Sequence, residues 1–319
     1  MKMVILERDT YGDDIDFGAF APLADEIVFW PRTTQEEVPE RVKDADIVMV
    51  NKLLMQESSL AGATNVKLLL EGATGYNNID LDYVRSRGIG VANVAGYSVS
   101  IVPQHTFALY LALSEHIAHF DTYVKSGEYT KSGLFSHFMP SFMELEGKTW
   151  GIIGLGNIGK RVARIAEAFG CRVIYYSTSG KNSNPDYTQV DFDTLLTESD
   201  VVSIHAPLNE KTHRLMNAAA FAKMKSSAFL INVGRGPIID EPALVAALND
   251  GQIAGAGLDV MEVEPLPADS PLFQVKDPSR LLLTPHMAWA SVEARQRLVN
   301  EAALNLKAFL AGEKRNRVD

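Results

Sequence analysis

Residues 149–159 read Thr149-Trp150-Gly151-Ile152-Ile153-Gly154-Leu155-Gly156-Asn157-Ile158-Gly159, and an amphipathic segment, Ile158–Phe169, runs on from them. A Gly-x-Gly-x-x-Gly match is weak alone. It gains weight here because it follows a hydrophobic strand, Thr149–Gly154, and opens a helix. Gly154 permits the tight turn, Gly156 lets the backbone approach a pyrophosphate, and Gly159 lets helix and strand pack closely. The first helical turn then faces the phosphates, which makes Gly154, Gly156, Asn157, Ile158 and Gly159 candidate dinucleotide-binding residues.

Working outward, the same alternation continues on both sides. Downstream strands are expected at Arg172–Tyr176, Val201–His205, Ala228–Val233, Ala254–Val260 and Leu281–Thr284, with a helix at Glu241–Asn249 capped by Asp240 and carrying Pro242 in its first turn. Six strands in this rhythm predict a doubly wound parallel sheet. Upstream, five more runs (Met3–Leu6, Glu26–Trp30, Asp46–Val50, Lys67–Leu70, Ile89–Val94) alternate with helix-like segments at Thr34–Lys43 and Asn78–Arg87. They predict a second parallel α/β layer. Between the two series, Val102–Val124 reads as one long connecting helix opened by Pro103. Residues 127–147 are irregular and aromatic (Tyr129, Phe135, Phe138, Phe142), so they form either a partner-facing arm or a loop packed on its own domain. The final helix, Val292–Ala311, is free to cross back onto the first domain.

The chain of 319 residues suits two domains of about 150 each. A formal net charge of −10 without a basic run argues against nucleic-acid binding. It also means that an anionic substrate needs a local cation. No apolar run approaches the roughly 20 residues of a membrane span, and the start lacks the pattern of a secretory signal, so a cytoplasmic protein is expected. The one cysteine, Cys171, excludes an intrachain disulfide and reads as a small buried hydrophobe.

Ligands of open α/β sheets sit beyond the carboxyl ends of the strands. In the second series those ends carry Ser177, Ala206-Pro207, Gly234-Arg235-Gly236, Asp259 and Pro285-His286, with Glu262 and Glu264 in the loop after Asp259. Arg, carboxylate and His at one edge suit carbonyl reduction. His286 protonates the oxygen as hydride reaches carbon, a carboxylate keeps the imidazole charged, and Arg235 holds a substrate carboxylate. Spacing alone does not choose between Glu262 and Glu264. His205 also ends a strand and reads as a packing residue. Where an acidic residue commonly meets the adenosine ribose, roughly 20 residues past the glycines, the chain has Ser177-Thr178-Ser179-Gly180-Lys181. Ser177 and Lys181 are therefore candidates for a 2′-phosphate, which leaves both NAD and NADP open; otherwise Lys181 is a solvated loop residue.

Taken together, Gly75-Tyr76-Asn77-Asn78-Ile79-Asp80, Gly154–Gly159, His205-Ala206-Pro207-Leu208, Asn232-Val233-Gly234-Arg235-Gly236, Gly257-Leu258-Asp259-Val260 with Glu264-Pro265, and Thr284-Pro285-His286 resemble the D-isomer-specific 2-hydroxyacid dehydrogenases over nearly the whole chain. Residues 93–98 and 286–291 look most like the glycerate dehydrogenases, or hydroxypyruvate reductases. The resemblance implies a Rossmann cofactor domain, 99–290, inserted into a flavodoxin-like substrate domain made of 1–98 plus 291–319. It implies Arg235, Glu264 and His286 as the catalytic residues, which selects Glu264 over Glu262. It places Thr74 and Gly75 at the substrate carboxylate, with Lys52 adding positive charge. It places Pro207, Thr212, Val233, Thr106 and Asp259 along the cofactor, Asp259 at the nicotinamide carboxamide. It further implies domain closure over the ligands, a homodimer joined through the connecting helix and aromatic arm, and no metal. Two positions depart from the family pattern. Ser177 stands where Asp is frequent, which puts NAD preference in doubt, and Pro103 stands where an acidic or amide residue is common.

The expected reaction is interconversion of a small 2-oxo acid and its D-2-hydroxy acid, with hydroxypyruvate or glyoxylate first. A broader reductase for apolar 2-oxo acids is the alternative within enzymes. A dinucleotide-sensing corepressor of the same fold is the alternative outside them, disfavoured by the lack of long tails.

Overall fold

The computed structural model describes residues 1–180 and 183–319. It divides into two compact units, Met1–Ser98 with Ala290–Asp319, and Val99–Trp289.

In the first unit five parallel strands, β1 (Lys2–Ile5), β2 (Glu26–Phe29), β3 (Ile47–Val50), β4 (Leu68–Glu71) and β5 (Gly90–Ala92), lie in the order β2-β1-β3-β4-β5. β3 and β4 are buried along their whole length. That is why their sequences are near-continuous apolar runs rather than alternating ones. The helix Val292–Leu310 belongs to this unit. Ser291 caps it by accepting from the Ala294 N–H. Arg295 ties its first turn to Asp14 (2.5 and 2.9 Å) and to the Tyr11 carbonyl (2.6 Å), and Asn305 donates to the Asn93 carbonyl (2.8 Å). Beyond the helix, Arg317 bridges Ala92 in antiparallel fashion and Asp319 accepts from the Val91 N–H, which covers the outer edge of β5.

In the second unit the strands are β6 (Thr149–Ile153), β7 (Arg172–Tyr176), β8 (Thr188–Gln189), β9 (Val201–Ile204), β10 (Phe229–Asn232), β11 (Gly255–Leu258) and β12 (Leu281–Leu283). All pair in parallel, in the order β12-β11-β10-β9-β6-β7-β8. The order reverses at β6, which pairs with β7 on one side and β9 on the other. Loops leaving β6 and β9 therefore diverge and open a crevice at their carboxyl ends. Trp150, fully buried on β6, anchors the core. Its indole N–H donates to Ser203 (2.8 Å), and Phe107 stacks on it at 4.5 Å.

Two expectations are corrected. The long connecting helix is two helices, Ile101–Ser114 and Ile117–Lys125, broken at His116, whose φ is +51°. The first is largely buried and the second buries no residue, so the apolar stretch changes environment midway although no Gly or Pro marks the break. The second sheet gains a short strand, β8, on the edge beyond β7. The aromatic segment is not packed away: Phe135 is 96% exposed and Phe138 77%, while His137 stacks on Tyr123 at 4.1 Å. Among the described residues no helix is long and apolar enough to cross a membrane.

Candidate active site

β6 ends in the glycine turn. Gly154 has φ +95°, and a Cβ there would lie 2.9 Å from the Ala206 nitrogen. A Cβ on Gly159 would lie 2.4 Å from the Gly154 carbonyl oxygen, so this residue lets the helix Asn157–Ala168 seat on its strand. Gly156 differs, because a Cβ there meets nothing within 4 Å. No side chain caps this helix, whose first-turn residues Asn157 and Ile158 lie beside that open space. Uncapped N–H donors beside an open, side-chain-free position fit a dinucleotide pyrophosphate. Ser177 follows β7 and is 9% exposed, and Gly180 turns back onto its carbonyl. Lys181 lies outside the described residues.

The neighbouring strand ends carry the other candidates. The His205 N–H donates to Ile153 at 2.8 Å. Burial pushes the imidazole down to about 3, which keeps it neutral, and its Nε2 lies 3.0 Å from Ser203 Oγ, in keeping with a packing role. Pro207 is exposed and Val233 half-buried. Thr212 is fully buried, with its hydroxyl donating to the Pro207 carbonyl (2.7 Å). Thr106 is likewise buried and donates to the Val102 carbonyl (2.8 Å). The Thr212 hydroxyl ties the loop after β9 to itself, and the Thr106 hydroxyl stays within its own helix.

Arg235 follows β10 through a turn pinned by the buried Asn232, which donates to the Arg235 carbonyl (2.9 Å) and accepts from the Gly234 N–H (3.0 Å). Gly236 packs directly on the next loop: a Cβ would fall 1.8 Å from the Met261 carbonyl oxygen. That loop is folded by Glu264, whose Oε1 accepts from the Met261 N–H (2.9 Å). Its Oε2 lies 2.7 Å from His286 Nδ1. Glu262 is committed elsewhere, to Arg214 (3.1 Å). The structure thus joins the Arg235 turn, the Glu264 loop and His286 in steps of one contact each.

Asp259 is fully buried just past β11. Its carboxylate accepts from the Thr284 hydroxyl (2.6 Å) and the N–H groups of Met287 (2.8 Å) and Ala288 (2.7 Å), and its carbonyl accepts from the His286 N–H (2.7 Å). Burial alone raises its pKa, but hydrogen bonds from His105, Thr284, Ala288 and Met287 outweigh it and hold the group below the usual carboxylate range. His105 Nε2 lies 3.0 Å from Thr284 Oγ1. This network was not legible as a site in the sequence, and only the motifs containing its members pointed to it.

The first unit places Lys52 after β3 and Thr74–Gly75 after β4. The Lys52 side chain is exposed, and the Asn51 and Lys52 N–H groups are held by the buried Glu7 carboxylate (2.7 and 3.1 Å). Thr74 donates to the Val94 carbonyl (2.9 Å) and accepts from Asn93 (2.7 Å). Glu71, at the end of β4, is 0% exposed, and burial raises its pKa well above the ordinary carboxyl value of 4.5, against weaker lowering by Asn78 and Lys52. Glu7 and Glu71 were not among the residues singled out, and Asn78 entered only as a member of the Gly75–Asp80 motif.

Two outcomes follow from these contacts. Gly236→Ala drives a Cβ into backbone, at a cost of about 2–4 kcal/mol. The thermal midpoint should fall by at least about 4 °C, and an unchanged midpoint would contradict the close packing. For Glu71 the unfolded chain releases the proton above pH 4.5 and the folded chain keeps it, so the group's contribution to stability falls as pH rises past 4.5. The midpoint of Glu71→Gln relative to the unsubstituted chain should therefore rise between pH 5 and pH 8. A flat difference would mean the carboxyl ionises in place.

Residues 107–288 match the family model described as D-isomer specific 2-hydroxyacid dehydrogenase, NAD binding domain. The chain is 40% identical over 286 residues to the glycerate dehydrogenase of Methylorubrum extorquens, covering 90% of this chain and 89% of that protein. It is 37% identical to the hydroxypyruvate reductase of Blautia hydrogenotrophica over the full length of both. An acyclic imino acid reductase in complex with NADPH and D-Arg superposes with a TM-score of 0.87 at 31% identity, covering both chains completely. The chain belongs to the D-isomer specific 2-hydroxyacid dehydrogenases, nicotinamide-dependent oxidoreductases that act on a CH–OH group.

Proposed function

We propose that the chain reduces hydroxypyruvate or glyoxylate to the corresponding 2-hydroxy acid, with His286 as proton donor. The observation that carries the reading is the 2.7 Å pairing of His286 Nδ1 with Glu264. A carboxylate at Nδ1 fixes the ring and leaves Nε2 as the nitrogen that gives its proton to the carbonyl oxygen. Reduced nicotinamide, when bound, supplies hydride to the carbonyl carbon. Arg235 grips the substrate carboxylate with its planar fork. In the first unit, Lys52 and the backbone of Thr74–Gly75 are assigned to an anionic substrate, which a chain of net charge −10 otherwise repels. The choice of oxo acid rests on the glycerate, hydroxypyruvate and glyoxylate enzymes to which the chain is similar.

Gly154, Gly156, Asn157, Ile158 and Gly159 hold the pyrophosphate, and Pro207 and Val233 flank the cofactor. Thr106, Thr212 and Asp259 support that surface from within. Ser177 offers a hydroxyl and no charge at the ribose, so a 2′-phosphate is not repelled there and NADPH is an admissible donor beside NADH. The exposed segment with Leu134, Phe135, Phe138, Phe142 and Met143 is an apolar patch of the kind that marks a protein partner, and we assign it to a second copy of the chain.

Initial rates with hydroxypyruvate, glyoxylate, pyruvate and 2-oxoisocaproate, each with NADH and NADPH, test the assignment. Hydroxypyruvate or glyoxylate should lead, and a preference for 2-oxoisocaproate would replace the reading with an apolar-acid reductase. His286→Ala should lower kcat at least about a hundredfold while nicotinamide binding persists, and unchanged turnover would remove His286 from its role. Sedimentation should give a dimer that Phe135→Ser with Phe138→Ser weakens; a monomer at micromolar concentration would refute the assembly.

A further inference from the structure

The side chain of Glu71 is fully buried. By strand alternation it shares a face with Leu69, in the cluster that holds Val48, Val50 and Leu53. Packing alone would be served there by leucine, and burying a carboxyl is costly unless hydrogen bonds answer it. Only one is found among the described residues. Oε2 accepts from Asn78 Nδ2 at 3.0 Å, and Oε1 is buried without a hydrogen-bond partner.

Asn78 spends its second amide hydrogen on the Leu53 carbonyl (3.1 Å), and its own carbonyl accepts from the Met55 N–H (2.8 Å). The Gly72 N–H donates to Val50 (2.7 Å), and the Asp80 N–H to Met55 (2.9 Å). The loop after β4 is therefore sewn to the segment after β3 at both of its ends. Thr74 and Gly75 are suspended between the seams. At one seam the fastening is backbone to backbone. At the other, two backbone bonds through Met55 are joined by the Asn78 side chain, which bonds both the Leu53 carbonyl and the Glu71 carboxyl.

We propose that Glu71 is a positioning residue for the reaction: through Asn78 it holds the loop Gly72–Asn78 against Leu53–Met55 and so presents the Thr74–Gly75 backbone to the substrate anion. The proposal rests on the assignment of Thr74–Gly75 to the substrate made above. It predicts that losing the Glu71–Asn78 contact weakens substrate binding and spares both the chemical step and the dinucleotide.

The test compares Glu71→Leu, Glu71→Gln and Asn78→Ala with the unsubstituted chain. It measures kcat and KM for hydroxypyruvate, the NADH dissociation constant, and oxamate binding to the enzyme–NADH complex by fluorescence. Oxamate is a 2-oxo acid isostere that is not reduced, so its binding reads the anion site without turnover. Glu71→Leu and Asn78→Ala should raise KM and the oxamate dissociation constant by about tenfold, with kcat within about threefold and NADH affinity unchanged. Glu71→Gln keeps an acceptor for Asn78 and should stay within about threefold on every measure. A folded Glu71→Leu variant with KM and oxamate affinity within about twofold of the unsubstituted chain overturns the proposal. So does a parallel loss of NADH affinity, which would mark a general structural effect. If Glu71→Leu does not fold, Asn78→Ala decides by the same criteria. Absence of turnover in the unsubstituted chain, with the oxamate pattern intact, would refute the assigned substrate and leave the role of Glu71 standing.

Discussion

The carboxylate of Asp259 is the constraint on which the second unit's edge depends. His286 adopts φ +52°, a left-handed backbone that costs a non-glycine residue roughly 1–2 kcal/mol. Asp259 offsets that cost by gathering the Thr284 hydroxyl and the Met287 and Ala288 N–H groups around one buried charge, while its carbonyl takes the His286 N–H. The loop is thus gathered around a buried side chain. Because it is fixed there, the imidazole meets Glu264 in good hydrogen-bonding geometry. The same arrangement explains why an acidic residue can remain charged with no solvent contact: several donors replace the water it lost.

Glycines do the complementary work. Gly236 and Gly159 sit where any side chain would collide with backbone, so the Arg235 turn and the glycine-turn helix approach their neighbours more closely than other residues allow. Gly156 sits where a side chain would collide with nothing. Its freedom is directed outward, at whatever approaches the helix end, and that separates it from the packing glycines Gly154 and Gly159 of the same short motif.

Much of this was legible in the sequence. Parallel strands buried on both faces write themselves as apolar runs, which is why the strands of both sheets read clearly, β8 excepted. At two residues, Thr188–Gln189, β8 is too short and too exposed to leave a pattern. The helix break at His116 left none either, since it is imposed by where the chain must stop being buried. Charged residues inside the core were the main blind spot. The strand ending at Glu71 was read as stopping at Leu70 because a carboxylate ordinarily marks the return to solvent. Spacing left Glu262 and Glu264 equivalent; the family resemblance selected Glu264, and the fold sends Glu262 to Arg214 and Glu264 to His286. Asp259 was placed through its motif, and Thr106 and Thr212 only through the family resemblance, but the burial of all three is a property of packing.

Cys171 carries a practical consequence. It is 7% exposed, its sulfur lies against the Leu145 carbonyl, and burial pushes the thiol up to about 11. A thiol so rarely ionised at neutral pH reacts slowly with electrophiles. The folded chain therefore offers a quiet background for maleimide chemistry, and a cysteine placed on either unit's surface would accept a fluorophore selectively without first removing the native one. Distances between the two units can then be followed in solution by energy transfer on the intact, unpurged sequence.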